Sequence, residues 1–167
     1  SILSVLLLLQ FALLSGCQTR MVKTQTIAPP ALKTAYDYQL LDNNWQPVSL
    51  DQMKESLSEA DVVFIGEYHG NHASHLLETQ LLAGLHKQHK NLILSLEMFN
   101  RDQQETLNDY IDGFIGEQTL IKQAPAWPNY KASYRPSVEY AKQHFLPIVA
   151  ANASGDLVRC IGSQGEG

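Results

Sequence analysis

Cysteine is almost missing from this chain: of 167 residues, only Cys17 and Cys160 carry a thiol. That excludes a disulfide scaffold and any centre built on cysteine pairs, such as a structural zinc site. Positive charge is also short, with 12 Lys and Arg against 17 Asp and Glu, for a net charge of −5. A nucleic-acid partner would call for a basic face, so none is expected. The chain has no Gly-x-Ser-x-Gly elbow, phosphate loop or dinucleotide fingerprint. The familiar signatures of serine hydrolases and nucleotide-binding enzymes are therefore absent. The nearest approach to an elbow, Ala153-Ser154-Gly155, reads better as a helix cap. No repeat or low-complexity tract is visible. What remains, 44% hydrophobic, suits one ordinary domain of roughly 100–200 residues.

Long apolar runs are confined to the first seventeen residues. Ile2 to Leu14 is broken only by Ser4 and Gln10, a length that fits a signal-peptide core and is too short to span a bilayer. The ending Leu14-Ser15-Gly16-Cys17 resembles a bacterial lipobox, in which the cysteine is lipidated and becomes the first mature residue. No Met or charged leader precedes it, so an earlier start is expected. Gln18 stands where an Asp would favour retention at the inner membrane, which points to a lipid anchor in the bacterial outer membrane. The expected organisation is a signal peptide over 1–17, a polar tether over 18–35 and a domain over 36–167. With Cys17 lipidated, Cys160 has no partner and is expected as a buried helix residue.

Within the domain, Tyr36 to Val48 suits a short hairpin turning at Asn43-Asn44. Ser49 and Gln52 have capping-box spacing ahead of a helix from Leu50 to Ala60. Val62 to Ile65 reads as a buried strand. Asn71 can cap a second helix to Gln88, with Ala73, Leu77, Leu81 and Leu85 on its apolar side. Asn91 to Leu96 reads as a second strand. Asn100 and Gln103 cap a third helix carrying Leu107, Tyr110, Ile111 and Phe114. A loop from Gln123 to Pro136 leads into a helix to His144, with Pro136 in its first turn. Phe145 to Ala151 reads as the third strand, and a last helix begins near Ser154. Strands separated by helices make βαβ units, hence an α/β fold with a parallel sheet flanked by helices. Three strands are few for such a sheet, so the domain is expected to be incomplete at its C-terminus.

One segment concentrates chemistry. After Asp61-Val-Val-Phe-Ile65 come Gly66, Glu67, His69, His72 and His75, holding half of the six histidines. The carboxyl ends of parallel strands deliver residues into one crevice, so Gly66–His69, Glu97 and Asn152 are expected at the same sheet edge. Glu67 and His69, two apart on extended backbone, would share a face, and the carboxylate could orient the imidazole or share a metal with it. Gly66 would relieve crowding at the turn. His72 and His75 are neighbours on a helix face; such a pair can bind zinc or copper, but with no His-Glu-x-x-His motif and no Cys pair to support it the polar-surface reading is preferred. Glu97 interrupts an apolar strand, so it should meet a cation, a donor or solvent. The segment Trp127–Arg135 interleaves Trp127, Tyr130 and Tyr134 with Lys131 and Arg135, a pattern suited to a planar anionic ligand or to loop packing. His86, His89 and His144 fall at helix C-termini, where a cation is favoured.

Four stretches, Phe64–Leu82, Leu94–Gln104, Trp127–Ala141 and Leu146–Gly165, together resemble the ChaN-like haem-binding lipoprotein family. That family is similar in turn to erythromycin esterases and Tiki-type metalloproteases, whose site has a Gly-x-x-His element matched by Gly66 to His69 and glutamates matched by Glu67 and Glu97. The resemblance implies a dimer that holds haem through an axial tyrosine with help from a histidine. Tyr134, then Tyr130, are the candidate iron ligands, with His69 and Arg135 as further haem contacts. A cation such as Arg135 or Lys131 would ease ionisation of a phenol whose ordinary pKa is ~10. The implied function is haem and iron uptake with an outer-membrane haem receptor as partner. The alternative is a metal-assisted or carboxylate–imidazole hydrolase, an esterase or peptidase, using Glu67, His69 and Glu97.

Overall fold

The computed structural model describes residues 31–125 and 127–164, so Cys17, the lipobox and residues 18–30 of the tether lie outside the described residues. The first element is the expected hairpin, made of β1 (Leu40–Leu41) and β2 (Pro47–Val48), antiparallel with Leu40 opposite Val48. Asp42 holds its turn by accepting from the backbone N–H of Asn44 and Gln46, each at 2.8 Å. Helix α1 (Leu50–Leu57) starts on the complete capping box read from Ser49 and Gln52, with bonds of 3.1 and 2.8 Å. Helix α2 (His72–Gln88) starts where Asn71 Oδ1 accepts from the N–H of Ala73 and Ser74.

Strands β3 (Leu94–Asn100) and β4 (Ile148–Asn152) form the parallel pair, with Leu94, Ser95 and Leu96 opposite Ile148, Val149 and Ala150. An irregularity then brings Asn100 opposite Asn152. Between them run a 3₁₀ turn (Arg101–Gln103), α3 (Gln104–Ile111), α4 (Glu117–Gln123), α5 (Tyr130–Ser133) and α6 (Arg135–Gln143). The chain leaves α3 through Gly113, whose φ of 85° suits a residue without Cβ. Helix α7 (Gly155–Gln164) follows β4. No helix among the described residues is long and apolar enough to cross a membrane.

The core lies where β3 and β4 meet α3, α4 and α6. Phe99, Leu107, Val138, Ala141 and Ala150 are fully buried there, and Leu120, Leu146 and Ile148 nearly so. A side chain of this size contributes about 1.5–3 kcal/mol when fully buried. Gln104 adds a polar stitch: its amide donates to the Ile148 carbonyl at 2.9 Å and accepts from the Ala150 N–H at 2.7 Å. An edge strand's unpaired backbone groups are thus satisfied by a glutamine.

Three expectations are corrected. Val62–Ile65 is not a strand: it is unpaired, with Val62 66%, Phe64 92% and Ile65 45% exposed. Apolar β-branched residues make a strand only when a neighbour completes the ladder, and among the described residues β3 pairs with β4 alone. The parallel sheet therefore has two described strands rather than three. Glu97 lies inside β3, three residues before its end, rather than at the strand terminus. Cys160 is exposed, as is all of α7 from Gly155 to Ser163, so the helix's apolar residues bury nothing.

Candidate functional site

The site is organised by Glu67, which the backbone brings against α2 and α5 without any strand pairing. Its Oε1 accepts from the Tyr134 hydroxyl at 2.5 Å and lies 2.9 Å from His69 Nδ1. Its Oε2 is 2.9 Å from His75 Nδ1, off the line a hydrogen bond needs, so this buried oxygen has no donor among the described residues. His75 is 3% exposed, and its Nε2 donates to the His69 carbonyl at 2.9 Å. That carbonyl also accepts from Asn129 Nδ2 at 2.5 Å. Glu78, one helical step from His75, places Oε2 3.3 Å from the same Nδ1. The Tyr134 ring packs edge-on against His75 at 4.6 Å, and Trp127 stands edge-on to His69 at 4.4 Å.

The electrostatics follow from these contacts. Burial pushes Glu67 upward, but the Tyr134 hydroxyl, His69, Glu78 and His75 outweigh it and hold its pKa below the ordinary value. Glu78 goes the other way, raised by burial and then by its contact with Glu67. Tyr134 is raised by burial and by its bond to Glu67. The arrangement favours a neutral phenol that donates, and opposes a tyrosinate.

The sequence-derived candidates separate accordingly. Glu67, His69 and Tyr134 come together. Tyr130 is 3% exposed, packed edge-on to Phe99 at 6.0 Å, and its buried hydroxyl has no partner among the described residues. Its pKa is raised by burial and by Glu117. Arg135 pairs with Glu117 at 2.5 Å rather than with either tyrosine. Glu97 is exposed in β3, and no hydrogen bond or ion pair among the described residues joins it to Glu67 or His69. A Cβ on Gly66 would meet nothing within 4 Å, so crowding is not its reason. His72 and His75 are not equivalent: His72 lies beside Tyr36, whereas His75 is buried in the cluster. Glu78 and Asn129 were not singled out by sequence reasoning. The available signal was His75-x-x-Glu78 in phase with Leu81 and Leu85 on the buried side of α2. An open cleft of about 470 Å³ adjoins the cluster, lined by Ala35, Tyr68, His69, Gly70, Asn71 and His72.

Residues 53–167 match the family described as haem-binding uptake, Tiki superfamily, ChaN. The chain is also similar to Protein RETICULATA-RELATED 5, chloroplastic, of Arabidopsis thaliana, at 26% identity over 118 residues. That alignment covers 66% of this chain and 16% of the plant protein, so the chain spans a small part of this relative. No solved structure matches the chain. The matched span contains β3, β4 and every residue of the Glu67 cluster, and the chain belongs to the ChaN family of the Tiki superfamily, the family of haem-binding uptake proteins.

Proposed function

We propose that this protein binds haem, is anchored in the bacterial outer membrane through lipidated Cys17, and takes part in haem and iron uptake. The observation that carries the haem reading is His69: its side chain is 55% exposed, beside the open cleft, with Nδ1 held by Glu67. A histidine whose Nδ1–H donates to a carboxylate keeps Nε2 free as a lone-pair donor in a fixed orientation, which is the usual preparation of an iron ligand. Trp127 at its edge and the 85%-exposed Tyr68 supply flat apolar surface for a porphyrin. These residues fit the group. Haem would supply the iron; the chain's part is to ligate, stack and exclude water.

Tyr134 is harder to use as the iron ligand. It is 4% exposed and committed to Glu67, so ligating iron would require it to leave that bond and ionise against its raised pKa. His69 is therefore proposed as the first iron contact, with Tyr134 positioning Glu67. A homodimer and an outer-membrane haem receptor are the partners this reading carries. Haem titration followed by the Soret band tests it. His69→Ala should weaken binding by at least about tenfold, whereas Tyr134→Phe should leave a saturable spectrum. A wild-type protein without saturable binding refutes the haem reading, and loss confined to Tyr134→Phe reverses the ligand assignment. Labelling with a fatty-acid analogue, lost in Cys17→Ser, tests the anchor.

A further inference from the structure

Glu67, His75 and Glu78 each bring one ligand atom within 4.8 Å of the other two, and His75 Nδ1 stands between Glu67 Oε2 at 2.9 Å and Glu78 Oε2 at 3.3 Å. The tautomer of His75 follows from its other nitrogen. Nε2 faces the His69 carbonyl at 2.9 Å and must carry a proton, so in the neutral ring Nδ1 presents a lone pair to two carboxylates. A proton added to Nδ1 would point at Glu78, the only one of the two aligned to accept it, and would leave Glu67 Oε2 buried without a donor. A single proton, whether on His75 or on Glu78, bridges only two of the three groups. A cation at their centre satisfies all three at once.

We propose that Glu67, His75 and Glu78 form a binding site for one divalent transition ion of the zinc type. Two carboxylates match the charge of such an ion, and an imidazole among oxygen ligands selects it over magnesium or calcium. The spacing agrees. Tetrahedral bonds of about 2.0–2.1 Å place ligand atoms roughly 3.3 Å apart. Here His75 Nδ1 is 2.9 Å from Glu67 and 3.3 Å from Glu78. The supporting contacts are also present: the His69 carbonyl fixes the imidazole through Nε2, and Tyr134 fixes Glu67 through its other oxygen. The Glu67 and Glu78 side chains remain 14% and 19% exposed, so the carboxylates lie near the surface although Glu67 Oε2 itself is buried. The site is distinct from the proposed haem contact, since it uses Glu67 Oε2 and helix α2 rather than the His69 ring.

The test is titration of the chelator-treated protein with Co²⁺, read by its visible ligand-field bands, and with Zn²⁺ by calorimetry. One ion per chain is expected, with excess Mg²⁺ or Ca²⁺ failing to compete. Glu78→Gln keeps the shape of the side chain, and circular dichroism checks that it stays folded. It should bind at least about 100-fold more weakly, whereas His89→Gln should bind as wild type does. Absence of saturable binding overturns the proposal. Binding untouched by Glu78→Gln but lost in Glu97→Gln also overturns it, by placing the ion elsewhere. Haem titration of the same samples separates the two readings. Haem uptake without cation binding sinks this site alone, and cation binding without haem uptake sinks the haem reading alone.

Discussion

Replacing Tyr134 by Phe removes one hydroxyl and leaves the ring, which isolates its bond to Glu67. The ring contacts with His75 at 4.6 Å and Trp127 at 5.8 Å survive, so the cavity term is small. A hydrogen bond to a charged group contributes about 1.5–3 kcal/mol net. The lower end applies here, because Glu67 keeps His69 at 2.9 Å and its 14%-exposed side chain can recruit water. About 1.5 kcal/mol translates to a fall in Tm of roughly 5 °C for a unit of this size. The pH dependence supplies a second signature. Burial raises the Glu67 pKa and the Tyr134 bond leads the contacts that bring it below 4.5. A depressed carboxyl contributes stability that is present above its unfolded pKa and is lost as pH falls through its folded value. The gap between wild type and Tyr134→Phe should therefore be widest near neutrality and close on acidification. Urea melts of chelator-treated protein across that range measure it. Equal stabilities at neutral pH, or a gap that grows in acid, would refute the reasoning.

Glu78→Gln should act in the opposite sense in metal-free protein. A carboxyl whose folded pKa is raised contributes stability below its unfolded value and loses it as pH rises, so the neutral amide should raise Tm at neutral pH and change little in acid. Thermal melts in chelator, repeated at both pH values, check this. Asn71→Ala removes the acceptor for two backbone donors at the start of α2 and should cost about 1 kcal/mol by urea melt. Phe99→Ala empties a fully buried position and should cost about 3–5 kcal/mol, with Phe99→Leu costing distinctly less. Equal losses for the two would mean that the site collapses rather than holding a cavity.

Local signals were legible where the interaction is local. The Ser49–Gln52 box and the Asn71 cap lie within one turn of chain, and both form as their spacing indicates. The NLILSL and LPIVAA runs locate β3 and β4 because a partner is present for each. Val62–Ile65 carries the same composition and has no described partner, so the same rule fails on it. Periodicity sees a residue's neighbours on its own element and cannot see pairing. The site divides in the same way. Glu67 and His69 sit two apart and were readable as a pair, whereas Tyr134 reaches Glu67 across 67 residues. His75 was hidden because a polar residue on a helix reads as surface until something buried needs it. Arg135 shows the converse error: adjacency to Tyr134 suggested an ion-stabilised phenol, but the guanidinium turns to Glu117.

The loop that carries Glu67 and His69 is held by the chemistry it displays. Among the described residues no strand ladder fixes residues 62–69, yet the His69 carbonyl accepts from both His75 Nε2 and Asn129 Nδ2, and Glu67 accepts from Tyr134. Those donors come from α2, from the turn before α5 and from the start of α6, so three separate pieces of chain meet on two residues. Removing any donor releases both a structural contact and a site contact, which makes stability and binding inseparable here. A cation on Glu67 Oε2 would tighten the group that orients His69 through Oε1, and iron on His69 would strengthen its pull on the same carboxylate. Two ligands acting on opposite oxygens of one buried side chain must influence each other's affinity, and by equal factors.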